Sequence, residues 1–408
     1  MASNLRDRLR RIQGQKGVEK PKEIKSSSDI SALTGDGWES CGFQVLKKEI
    51  ILNTNYRIIK NVPDSLGIII PDLAGYGIPK YEDYLFFDLE TTGLSGGAGT
   101  VAFLAAFGEF KTVNNLLKLC VTQYLLLDYP GENDFIEAVI KKIQSEKSVI
   151  VTYNGKCFDS QILKTRCLMN GIKPPQYFHA DLLHPARRLW KNIIQDCSQS
   201  SIETKILGLD RSGDIPGALA PEIWFEFLKT GRTERLIGIC EHNSSDIAGL
   251  SSILMAMIFI AKDPFDEKFN YDIERLALYW RNFLRRNDNL NVKEYNDLQK
   301  TGNELLLLAV KKKYPRAALV YAQDQLRCGN CTEGRKRLLD IVKSTYPENI
   351  IAGALRSLAI DSERRLKDTG EALELVKKGM NLQTAGAGLQ AEFERRAQRL
   401  EKKLAANR

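Results

Sequence analysis

The sequence predicts an α/β protein: a mixed sheet with flanking helices, followed by an all-α C-terminal region. Three observations lead there. Between residues 84 and 169, runs of β-branched and aromatic residues of strand length give way to stretches with helical period. The first three runs are joined by short turns and the later ones by helical crossovers, which is the order that produces a mixed sheet. Past Asp263-Pro264 the strand signals fade, and Leu, Ala, Glu, Lys and Arg recur at helical spacing.

Taken in order, residues 1–35 read as a flexible basic arm. Arg6, Arg8, Arg10 and Arg11 have no apolar core after them, so they do not form a secretory signal, and Leu5, Leu9 and Ile12 share one stripe of a short amphipathic helix. Apolar runs at 49–52 and 66–70 read as strands or loops packed on the core that follows. That core is predicted as strands at 84–89, 100–110 and 117–127, a helix at 133–143, a strand at 148–153 and a helix at 159–169. A mostly helical insertion comes next, with helices at 185–194 and 221–229 and a capping box of Ser200 and Glu203. A long helix is expected over 233–261. The domain boundaries are therefore 1–35, 36–263 (core about 81–260) and 264–408.

Candidate chemistry sits in three places. Tyr84, Leu85, Phe86 and Phe87 form a buried strand, and alternate side chains of a strand share a face, so Asp88 and Glu90 point the same way. Such a pair repels itself unless a positive charge lies between, and a hard divalent cation is the usual solution. Asp159 is placed at the N-cap of its helix, which leaves both a capping and a metal-binding role open. His242 and Asp246 lie four residues apart on one helical face; an ordinary solvated ion pair is the plain alternative.

Other features carry less. Gly93, Gly96, Gly97 and Gly99 do not have the G-x-G-x-x-G spacing, and the strand expected after them argues against a dinucleotide cradle. The loop is instead read as letting a ligand approach the backbone closely. Arg187, Arg188 and Lys191 beside Trp190 suit phosphate contact with base stacking, or equally a helix that buries Leu189 and Trp190. With Asn154 they are the candidate nucleic-acid contacts. Eight scattered cysteines read as reduced thiols, and Cys328-Gly-Asn-Cys331 lacks two further zinc ligands nearby. No run of about twenty apolar residues is evident, so no membrane span is expected and the cytoplasm is the default location. A formal charge of +8 suits a polyanionic partner.

Together, Asp88-x-Glu90 after a strand, Asn154-x-x-x-Phe158-Asp159, and His242 four before a helical Asp246 resemble the DEDD superfamily of ribonuclease-H-like 3'-to-5' exonucleases. Within it, four features over about residues 81–254 are similar to the bacterial YprB-type domains, the mitomycin repair factor B group. They are Asp181-Leu-Leu-His184-Pro-Ala-Arg187-Arg188-Leu-Trp190-Lys191, Ile206-Leu-Gly208, Asp214-Ile-Pro216-Gly217 and His242-Asn243-x-x-Asp246. One departure stands out: in the wider superfamily a histidine in the third motif usually lies five before the aspartate, whereas His242 takes the spacing typical of tyrosine.

The resemblance implies an α/β ribonuclease-H-like fold, catalytic residues Asp88, Glu90, Asp159, His242 and Asp246, and two Mg²⁺ or Mn²⁺ ions. Asp88 would bridge both ions, Glu90 and Asp246 would serve the ion that activates water, Asp159 would serve the second, and His242 would be the general base. DNA is the favoured substrate, in DNA repair. RNA processing by the same site and a non-catalytic binding module remain as alternatives. The C-terminal segments 316–349 and 350–383 resemble tetratricopeptide-type repeats, with a plain helical bundle as the other option; either would offer a surface to a helicase or another repair protein.

Overall fold

The computed structural model describes residues 31–52, 61–77, 79–93, 97–113, 116–144, 149–286, 292–383 and 386–406. The stripe of Leu5, Leu9 and Ile12, the N-terminal arginines, and Gly96 of the glycine-rich turn lie outside the described residues.

Among the described residues seven strands form one sheet: β1 (Glu39–Gly42), β2 (Val45–Leu52), β3 (Tyr84–Thr91), β4 (Ala102–Val113), β5 (Leu116–Leu126), β6 (Val149–Thr152) and β7 (Phe178–Asp181). They lie in the order β1-β2-β5-β4-β3-β6-β7, and β3, β6 and β7 run parallel while the other pairs are antiparallel. The longer helices are α1 (Glu132–Gln144), α2 (Asp159–Met169), α3 (Leu183–Trp190), α4 (Gln199–Lys205), α5 (Ala220–Thr230) and α6 (Glu234–Lys262). They continue as α7 (Ile273–Leu284), α8 (Val292–Lys311), α9 (Pro315–Arg327), α10 (Cys331–Val342), α11 (Glu348–Arg364), α12 (Thr369–Met380) and α13 (Ala387–Ala406). The mixed sheet with flanking helices and the all-helical C-terminal part are those expected from the sequence.

The chain divides into two compact units: Met1–Asn61, Pro79–Asp181 and Leu209–Ile253 in one, Val62–Ile78, Leu182–Gly208 and Leu254–Arg408 in the other. Both are discontinuous, whereas the sequence alone suggests contiguous segments with boundaries near residues 35 and 263.

In the sheet unit, β3 is an interior strand between β4 and β6, and its apolar residues are buried on both faces. Phe87 stacks on Phe107 at 5.0 Å and Phe86 meets Phe110 edge-on at 5.1 Å. Parallel β6 pairs with β3 through Phe86↔Val151 and ends at Thr152, so Asp88 and Glu90 project past the end of their neighbour. Antiparallel β4 continues alongside, pairing Asp88↔Ala106 and Glu90↔Leu104. Helix α6 lies on β4 at Gly108, where a Cβ would stand 2.4 Å from Ile247 Cγ2; the missing side chain allows this close approach. Trp224 of α5 stacks on Phe103 at 5.2 Å and donates from Nε1 to Leu126 O at 3.0 Å.

Several expectations need correction. Residues 66–70 are not a strand or loop on the sheet: Leu66–Ile69 is a helical turn closed by Ile70 N donating to Leu66 O at 2.8 Å, and it groups with the second unit. The cap of α4 is Ser198, not Ser200: its hydroxyl accepts from Ser201 N at 3.4 Å, while Asp196 accepts from the hydroxyls of Ser198 and Ser201. Strands β1 and β7 are additions to the expected set, since four residues carry too little periodicity to announce a strand. Helix α6 does contain a stretch long and apolar enough to cross a membrane, with a mean hydropathy of 1.7, but 72% of that window is buried inside the protein, as in a core helix. All eight cysteines are free thiols.

Candidate active site

Asp88 stands where β3 outruns β6. Asn243 Nδ2 donates to its Oδ2 at 2.7 Å, and the amide of Asn243 is itself set by Gln123, whose Nε2 donates to Asn243 Oδ1 at 3.0 Å and to Cys240 O at 2.8 Å. This relay runs from β5 through α6 to β3, buried at Gln123 and Asn243 and half-buried at Asp88. Burial and then the charge of Asp246 push the Asp88 carboxyl up to about 7, against smaller opposing effects of Asn243, His242 and Arg211. Glu90 is pushed well above its ordinary value by burial, and next by Asp88, Asp246, Asp159 and Asp214.

Asp159 is a correction in part. Phe158 takes the N-cap position, and Asp159 is the first residue of α2. Its buried carboxyl lies well above the ordinary range because of burial and then Asp88, with its own backbone N–H opposing the shift. The turn before it is built to hold it there. Asn154 adopts φ 67° and, with Lys156, donates its backbone N–H to Asp181, at 2.8 and 3.0 Å. At Gly155 a Cβ would stand 2.8 Å from Asp159 Oδ2, so only glycine leaves room for the carboxylate. Asn154 thus has a backbone role, while its side chain is exposed.

His242 and Asp246 share one face of α6, with Nε2 and Asp246 Oδ2 3.3 Å apart. His242 Nδ1 is 2.9 Å from Asp214 Oδ1. Arg211 closes the group: its Nη2 is 2.6 Å from both Asp214 Oδ2 and Asp246 Oδ1, and its Nε donates to Asp214 Oδ2 at 2.9 Å. Burial pushes the Asp214 carboxyl up, but hydrogen bonds with His242 and Arg211 outweigh it and hold the group below its ordinary value.

Glu90, His242 and Asp246 each offer an atom within 4.8 Å of the others; the two carboxylates could hold a metal ion with the imidazole standing beside it. The donor set fits a hard divalent cation: mostly carboxylate oxygen, with burial and then mutual repulsion raising the pKa values of Asp88, Glu90 and Asp159, a cost that a bound positive charge would relieve. Arg211, Asp214 and Gln123 are members of the site that sequence reasoning misses. Gln123 carries a signal, as an amide within an apolar strand run, and Asp214 lies inside a motif that by itself gives it no role.

Residues 85–258 match the family model described as RNase_H superfamily. This part of the chain carries a ribonuclease-H-like fold. The chain is also 32% identical over 269 residues to "Uncharacterized protein YprB" of Bacillus subtilis (strain 168), covering 60% of this chain and 62% of that protein. Thr92 N donates to Val101 O at 2.8 Å, and the glycine-rich segment is followed in the chain by strand β4, not by the helix a dinucleotide cradle needs.

The nucleic-acid contacts expected from the sequence divide differently. Arg187, Arg188 and Lys191 group with the helical unit rather than with the carboxylates. Trp190 is fully buried and donates to Phe269 O at 3.1 Å, so it is core and not a base-stacking platform. Arg188 stacks on Tyr279 at 4.9 Å, while Arg187 and Lys191 are exposed.

Proposed function

We propose that the ribonuclease-H-like domain is a divalent-metal-dependent 3'-to-5' exonuclease acting on DNA, in DNA repair. The observation that carries this reading is the convergence of Asp88, Glu90, Asp159 and Asp246, from structural contexts far apart in sequence, on one site where burial and mutual repulsion push three of the carboxyls upward. A carboxylate cluster serving stability alone would carry its own counter-ions. In this reading Asp88, Glu90, Asp159 and Asp246 would hold the ions. Mg²⁺ or Mn²⁺, when bound, supplies Lewis-acid activation of water and charge stabilisation at the leaving 3'-oxygen. His242 takes the proton from the attacking water through Nε2. The preference for DNA rests on the resemblance of the motifs to a DNA-repair group. The helical unit, with its tetratricopeptide-like helix pairs, would dock a helicase or another repair protein.

One observation favours a second reading. Arg211 already bridges Asp214 and Asp246, so part of the cluster has a built-in cation, as a non-catalytic nucleic-acid-binding module would have. The deciding experiment is digestion of 5'-labelled single- and double-stranded DNA and matched RNA with Mg²⁺, with Mn²⁺ and with chelator, beside Asp88→Ala. The expected result is a metal-dependent ladder shortening from the 3' end of DNA that disappears in the variant. A ladder on RNA alone would reassign the substrate, and binding without cleavage under either metal would establish the non-catalytic module.

A further inference from the structure

We infer that Asp214 is a positioning residue that fixes the tautomer and direction of His242, that Arg211 braces it, and that Gly217 keeps the reactive imidazole nitrogen open. The inference deepens the exonuclease reading and, for its kinetic part, rests on it. The argument begins with the two oxygens of Asp214. Oδ2 accepts from both Nε and Nη2 of Arg211, at 2.9 and 2.6 Å, which locks the plane of the carboxylate. Oδ1 is then directed at His242 Nδ1, 2.9 Å away. An ionised carboxylate only accepts, so Nδ1 carries the proton, and in the neutral imidazole Nε2 is left as the acceptor. Arg211 Nη2 also lies 3.4 Å from Nδ1, a longer approach than that of Asp214 and the weaker competitor.

Nε2 is directed into the carboxylate site, 3.3 Å from Asp246 Oδ2. Two acceptors at that separation need a shared donor or a cation, and a water aimed at both would be held where a general base must reach it. Gly217 borders this nitrogen: a Cβ there would stand 2.7 Å from Nε2. The segment bearing these residues is seated on α6 at Gly238, where a Cβ would stand 2.3 Å from Ile215 Cδ1. Asp214 and Gly217 thus flank one imidazole, with Ile215 anchoring their segment on α6.

The test reads the tautomer directly, by long-range ¹H–¹⁵N correlation of the full chain with chelator at a pH well above the ordinary imidazole value. Only three histidines are present, and His242→Gln identifies the signal. The wild-type protein is expected in the Nδ1–H form. In Asp214→Asn, Arg211 retains the side-chain oxygen, the amide NH₂ turns to Nδ1, and His242 moves to the Nε2–H form. For DNA cleavage, Asp214→Asn is expected to lower kcat by roughly 10² to 10⁴ with KM within about threefold, the loss that follows when the base holds its proton on the wrong nitrogen. Asp214→Glu is expected to restore the Nδ1–H form in part. Gly217→Ala should lower kcat while leaving the tautomer unchanged. An Nε2–H form in the wild-type protein, or an unchanged tautomer in Asp214→Asn, overturns the proposal. The spectroscopic arm needs no cleavage, so inactivity of the wild-type enzyme would sink the exonuclease reading while leaving this arm to stand or fall separately.

Discussion

The two units treat buried acids in opposite ways. In the sheet unit Asp88, Glu90 and Asp159 face one another and Asp246, and burial followed by mutual repulsion raises their pKa values. In the helical unit Asp361 and Glu363 of α11 are also buried, yet each is gripped by arginines. Arg365 Nε and Nη2 reach Asp361 at 2.7 and 2.8 Å and Arg335 Nη1 at 3.0 Å, while Arg399 and Arg396 hold Glu363. Asp361 therefore lies below its ordinary value despite burial, and Glu363 is lowered chiefly by Arg399. Burial alone does not mark a functional acid. Acids that share a buried site without a full set of cations do, because folding tolerates such repulsion only where something external relieves it.

The contrast can be broken most forcefully at Asp88. Asp88→Ala should reduce cleavage by at least about 10³-fold while circular dichroism stays unchanged. Cleavage at the wild-type rate would remove Asp88 from the site. His242→Ala should lower the rate by roughly 10² to 10⁴; a change under about threefold would leave the imidazole a structural group. In the helical unit the sign of the consequence reverses. Arg335→Ala should leave cleavage within about twofold but cost about 3 kcal/mol in chemical denaturation, because Asp361 is deprived of a buried partner. Stability equal to wild type would mean that Arg365 alone compensates.

The pH dependence separates the units further. With chelator present, Asp88 holds its proton up to about 7 when folded, against an ordinary carboxyl value of 3.8. The folded state therefore binds more protons between about pH 4 and 7, so its contribution to stability falls as pH rises through that window. Asp361 and Glu363 have lowered values, so theirs is present above the ordinary carboxylate range and lost as pH falls below it. Hydrogen-exchange protection of β3 should accordingly be weaker at pH 7.5 than at pH 5, with α11 little changed, and Mg²⁺ should remove the β3 difference. The reverse trend in β3 would contradict the arrangement of charges. The smallest effect is expected at Arg187 and Lys191: replacing both with Ala should weaken DNA binding a few-fold and lower the salt slope by roughly one for each phosphate that these side chains neutralise. An unchanged slope would remove them from the interface.

Much of this is legible along the chain. The apolar run at residues 84–87 locates β3, period two puts Asp88 and Glu90 on one face, and period 3.6 puts His242 above Asp246. The strands and helices from 84 to 169 fall within about two residues of their expected bounds at most ends. Less legible are β1 and β7, too short to show a period, and the N-cap expected at Asp159, since capping preference cannot tell an N-cap from the first helical residue. Trp190 resembles a stacking surface in sequence because local sequence does not reveal which face of α3 is buried.

The sequence by itself determined that Asp88 shares a strand face with Glu90 and His242 a helix face with Asp246, because both follow from repeats of two and 3.6 residues that act over one or two turns. Only the tertiary structure decided their company. Asn243 reaches Asp88 across 155 residues, Gln123 reaches Asn243 across 120, and Asp214 reaches His242 across 28. Those meetings depend on the strand order that puts β5 and β3 on either side of β4, and on the missing side chain at Gly108 that lets α6 settle onto the sheet. Whether a buried carboxylate is raised or lowered in pKa depends on the charges within a few ångströms of it, and those distances are set by packing between elements, which no local periodicity contains.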